Sequence, residues 1–117
     1  MFGGFIAESR EFDLTGVHQG TDVWIPEVGH RIVLTGVQFT VSAASEVDLR
    51  FESVSEDSEG LGYVESQPIK LGDFAANGGV DTQFRWPMVG GENQYIGVSN
   101  TAGNIKGVLH GWEEPVR

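Results

Sequence analysis

The stretch EVDLRFESV, Glu46 to Val54, alternates polar and apolar residues almost one for one, and this period of two constrains the fold more than any other feature. An extended strand sends successive side chains to opposite faces. Val47, Leu49 and Phe51 therefore meet a core, while Glu46, Asp48, Arg50 and Glu52 meet water. RIVLTGVQFTVS carries the same message with a break in it. Ile32 and Leu34 share one face, whereas Val37, Phe39 and Val41 share a face one residue out of step. A β-bulge at Gly36 would restore the phase, because one extra residue flips every later side chain. A strand covered on both faces is the other solution.

The remaining chain follows the same grammar. Its 17 glycines have no fixed period and punctuate short β-branched and aromatic runs, and no segment shows a helical period with caps. A first strand is expected around Arg10–Val17, with Phe12 and Leu14 on one face. HQGT reads as a turn into DVWIP, a short edge strand that Pro26 ends. EVGH turns the chain again and AAS makes a corner, while Pro68 marks YVESQPIKL as an edge or bulged strand. VDTQFRW, NQYIGVSN and IKGVLHGWEE bring the count to about eight. The expectation is an all-β fold, an antiparallel, jelly-roll-like β-sandwich.

At 117 residues and 39% hydrophobic composition, the chain suits one core. We expect a single sandwich domain over residues 10–117, preceded by an apolar N-terminal arm over residues 1–9. Cysteine is absent, which excludes a disulfide framework and thiolate metal sites and fits a reducing cytoplasm. A net charge of -10 opposes phosphate backbones and anionic membrane surfaces. No apolar run approaches a membrane span, and the first residues lack the pattern of a signal peptide. Neither nucleic acid nor membrane is expected as a direct partner.

Residues able to do chemistry are scattered. Glu56, Asp57 and Glu59 depart from EF-hand spacing and read as a solvated loop. His18, His30 and His110 lack close metal-ligand spacing, and no Ser–His–Asp arrangement stands out. The three Gly-Gly pairs do not precede a helix, so a phosphate cradle is unsupported. No enzymatic activity, metal or cofactor is expected. Trp24, Trp86, Trp112, Tyr63 and Tyr95 could line a sugar-stacking face, but large aromatics more commonly fill cores and mark strand ends.

Two features remain. Phe2, Phe5 and Ile6 are apolar on a segment that Gly3 and Gly4 keep supple. Such a segment either tucks under its own sandwich or docks on a neighbouring subunit or shell. Asn77, Gly78 and Gly79, within DFAANGGVDTQFRWP, supply positive-φ positions for a structural turn between strands.

The wider stretch PIKLGDFAANGGVDTQF, continued by GGENQYIGVSNTAGNIKGVLHGWEE, resembles the C-terminal half of small β-sandwich virion proteins of tailed bacteriophages. In these an ANGG turn introduces a strand and an alternating run closes the sheet. Here that run is Tyr95, Ile96, Val98 and Ser99, then Ile105, Gly107, Leu109 and Trp112, before Glu113. The likeness covers about the last 50 residues, and more loosely Arg31 to Ser42. Trp86-Pro87 and the GGEN loop depart from it. The resemblance implies a capsid decoration, or head cement, protein. Such a protein is made in the host cytoplasm and sits on the outer capsid surface. It commonly forms a homotrimer and reinforces contacts between major capsid proteins. A tail- or fibre-associated adaptor and a glycan-binding module are the alternatives.

Overall fold

A computed structural model describes residues 7–56 and 62–116. Eight strands run through them: β1 (Glu8–Leu14), β2 (His18–Trp24), β3 (His30–Val41), β4 (Ser45–Glu56), β5 (Gly62–Phe74), β6 (Gly79–Val89), β7 (Tyr95–Asn100) and β8 (Ile105–Pro115). They form two four-stranded sheets, ordered β1-β8-β3-β6 and β2-β7-β4-β5. Every pairing is antiparallel. The partners β1 with β8, β2 with β7, β3 with β6 and β4 with β5 nest like one long hairpin rolled onto itself. That is the strand order of a jelly roll.

The alternating stretch behaves as its pattern requires. Val47, Leu49 and Phe51 are buried, and they join Ile32, Leu34, Val37, Phe39, Val41, Ile96, Val98, Ile105 and Leu109 between the sheets. Each such side chain contributes on the order of 1.5–3 kcal/mol by leaving water. The phase break in β3 resolves as a bulge. Register against both β6 and β8 shifts between Leu34 and Gly36, and against β8 Thr35 is the extra residue on β3. Thr35 donates its hydroxyl to the His110 carbonyl at 3.1 Å, and both halves of β3 face one core. Pro68 sits on edge strand β5 beside a second register shift, where Ile69 is the extra residue. Phe39 meets Phe74 edge to face, centroids 5.1 Å apart, tying β3 to β5 across the core.

Two local expectations need correction. The first strand runs Glu8–Leu14 rather than Arg10–Val17, because Gly16 takes a left-handed φ of 81° and turns the chain there. Strand β1 thus includes Glu8 and Ser9, paired with Gly111 and His110. HQGT is not a turn. It forms the first half of β2, where Gly20 sits at φ 63° within a register shift between His18 and Thr21. The turn falls earlier, because Asn100 and Asn104 hold Gly16 and His18 with their side-chain carbonyls at 2.8–2.9 Å.

Phe2, Phe5, Ile6, Asp57 and Glu59 lie outside the described residues.

Candidate docking surface

The sandwich has two ends, and the loops at one of them are closed by side chains. Asn100, buried, gives its amide to the carbonyls of Gly16, Ala102 and Gly103, while Ser45 accepts from Thr101 and Ala102. This end is fastened from within.

The other end is built differently. Its β2–β3 loop, residues 25–29, is pinned through the backbone of Glu27 and Gly29. Glu27 N–H donates to the Glu113 carboxylate at 2.8 Å, and Gly29 N–H donates to Asn93 Oδ1 at 2.7 Å. The Gly29 carbonyl accepts from Val116 and the Glu27 carbonyl accepts from His30, each at 2.9 Å. Asn93 itself sits at φ 61° and donates its N–H to the His30 carbonyl. Pro26 is buried. Yet Ile25 is 66% exposed and Val28 87% exposed. A loop held this way, with its aliphatic side chains in water, would lose little further backbone entropy on meeting a partner.

Glu113 organises the support beneath it. Its side chain is only 12% exposed. One oxygen accepts the Trp24 indole N–H at 2.9 Å and lies 3.4 Å from the Arg10 guanidinium, and the other takes the Glu27 N–H. Arg10 stacks over the Trp24 ring at 5.3 Å and pairs with Glu8 at 2.7 Å. Next to this group Arg31 pairs with Glu114 at 2.7 Å.

A second apolar projection lies on edge strand β6. Between the pairs Leu34–Met88 and Gly36–Gln83, β3 has the single residue Thr35 while β6 has Phe84, Arg85, Trp86 and Pro87. The surplus bows outward. Phe84 and Met88 return to the core, and Trp86 is left 76% exposed beside exposed Arg85. Val89, further along the strand, is also exposed.

Two other surfaces complete the description. A shallow trough of about 750 Å³ crosses the sheet that contains β1 and β6, lined by Glu11, Asp13, Gln38, Thr40, Asp81 and Lys106 among others. It can offer hydrogen bonds to a polar ligand, and neither histidine nor an exposed aromatic is in its lining. On the opposite sheet the Glu52 carboxylate lies over Gly97 and Gly20, within 3.3–3.5 Å of where a Cβ would stand. Tyr95 is beside it, and burial, then the Glu52 and Asp22 charges and a hydrogen bond to Glu52, push its phenol above the ordinary value. Burial likewise pushes the Asp22 carboxyl up.

The histidines stay apart in their contacts. His18 bonds Thr21 and the Thr15 carbonyl, His110 meets Ser9, and His30 faces Glu27 at 3.8 Å. Among the described residues no group of three His, Asp or Glu side chains could hold a metal ion. Trp24 belongs to the core, Trp112 and Tyr95 are half-buried, and the Tyr63 side chain lies outside the described ones. Trp86 is the aromatic that departs from the core reading. The turn stretch spans residues 75–78: Asn77, not a glycine, takes the left-handed φ of 64°. Gly79 serves differently, since a Cβ on it would strike the Phe39 carbonyl of β3. Sequence reasoning missed the pinned loop. EVGH signalled a turn, but the partners that hold it, Asn93 and Glu113, come from the β6–β7 loop and from β8, both distant in sequence. Comparison with known protein families, with curated proteins and with solved structures gives no match for this chain.

Proposed function

We propose that the chain is a structural virion protein of a tailed bacteriophage, one that binds the outside of an assembled capsid and reinforces contacts between major capsid proteins. The observation that carries this reading is the pinned 25–29 loop, which presents Ile25 and Val28 to solvent on a backbone already ordered. Ordering in advance reduces the entropy lost on docking, so this small surface suits a protein contact within the assembled lattice, whether with the shell or with a neighbouring subunit. The jelly-roll order and the resemblance of the last 50 or so residues to phage virion proteins support the same reading. The segment with Phe2, Phe5 and Ile6 is assigned a supporting contact with shell or neighbouring subunit, and the assembled form is a homotrimer. A glycan-binding role fits less well, because Trp86 stands on a bulge and outside the lining of the trough. Mixing the purified chain with phage shells assembled without it, then sedimenting them, tests the reading. Saturable pelleting at a copy number set by the shell lattice is expected, and a chain left wholly in the supernatant refutes it.

A further inference from the structure

We propose that the 25–29 loop of one copy seats against the Arg85–Trp86 bulge of a second copy, so that the chain assembles with itself head to tail. The inference deepens the virion reading by naming its subunit contact, and rests on that reading for its biological setting alone.

Three observations select this pairing. The first is shape. Both elements project apolar side chains, Ile25 and Val28 on one and Trp86 on the other, and both are held rigidly, by hydrogen bonds in the loop and by strand pairing on either side of the bulge. Trp is among the side chains enriched at the positions that dominate interfaces.

The second is charge. The loop carries Glu27, whose side chain stands free in water apart from a 3.8 Å approach to His30. Arg10, Arg31 and Arg50 are each paired within the chain, whereas Arg85 makes no ion pair among the described residues. Loop against loop would set Glu27 beside Glu27, and bulge against bulge would set Arg85 beside Arg85. Only loop against bulge opposes unlike charges, and like-charge contacts are what exclude wrong partners. With a net charge of -10, a local match of unlike charges eases the approach of one copy to another.

The third concerns the edge. Pro87 removes a backbone donor from β6, and the four-residue bulge breaks its pairing line, so a second copy cannot add as a further strand there. Contact has to be made by side chains, and Trp86 is the side chain available. Formed head to tail, the contact between these two patches is heterologous and closes as a ring when the rotation permits.

The test is the solution mass of the full chain by sedimentation equilibrium at micromolar concentrations and physiological salt. The wild type is expected at a closed multiple of the chain mass. Trp86→Ala is expected to weaken assembly about 30-fold or more. Glu27→Arg and Arg85→Glu are each expected to weaken it about tenfold, and the two together to restore it to within about threefold. Far-ultraviolet circular dichroism spectra unchanged from wild type show that each variant keeps its fold. A wild-type monomer at every concentration overturns the inference, as does a double charge reversal that fails to restore assembly. A monomer that still pellets with shells overturns this contact and leaves the virion reading intact. An oligomer that ignores shells supports the contact and counts against that reading.

Discussion

Glu113 on β8 accepts the indole N–H of Trp24 on β2 at 2.9 Å, and so joins the two sheets beneath the exposed loop. The same carboxylate holds the Glu27 backbone and approaches Arg10, so removing its charge loosens three partners at once. Glu113→Gln keeps the shape but offers one acceptor oxygen where two are used. A loss of about 2 kcal/mol in urea unfolding is expected. Loss of order in the 25–29 amides, read by hydrogen exchange, should accompany it.

Gly107 lies between Phe12 and Phe39 on neighbouring strands. A Cβ there would strike the Gln38 carbonyl and stand 2.7 Å from the Phe39 Cβ. Backbone cannot retreat cheaply inside a paired sheet. Gly107→Ala is expected to cost about 3 kcal/mol or more in denaturant titration.

Asn77 tests the turn. At φ 64° it occupies the left-handed region, and its N–H donates to the Val41 carbonyl at 2.8 Å. Asn77→Ala should cost about 1 kcal/mol, since a Cβ without a polar side chain disfavours that region. Asn77→Gly should be neutral to within about 0.5 kcal/mol. Equal costs for the two would remove the conformational explanation.

Tyr95 gives an alkaline signature. Burial first, then Glu52 and Asp22, raises its folded value above 10.0, so the unfolded chain loses this proton before the folded one. Its contribution to stability is therefore fully present below pH 10.0 and declines as pH rises towards the folded value. Ultraviolet titration in a Tyr63→Phe background should place the phenol midpoint above 10.0. Tyr95→Phe should flatten that part of the stability profile.

How much of this was legible in the sequence follows from which interactions are local. Alternation in β4 and the phase break in β3 depend on near neighbours, and both the eight-strand sandwich and the bulge beside Gly36 could be read from them. HQGT misled because its Gly20 supplies a bulge within β2, while distant Asn100 and Asn104 set the real turn. The docking surface was largely illegible for the same reason. Trp86-Pro87 stood out as a departure, yet nothing nearby in sequence says that four residues of β6 face one of β3. Likewise EVGH signals a turn, but only the fold brings Asn93 and Glu113 to it.

Reinforcement of a capsid is tested most directly by the temperature at which DNA-filled shells release their genome, measured with and without saturating chain by dye fluorescence. A ligand that binds only the intact shell stabilises it by mass action, so the release temperature should rise with chain concentration and then level off at saturation. The Ile25→Ser/Val28→Ser variant should need far more protein to reach the same rise. An unchanged release temperature at concentrations where the chain demonstrably coats the shell would contradict a reinforcing role.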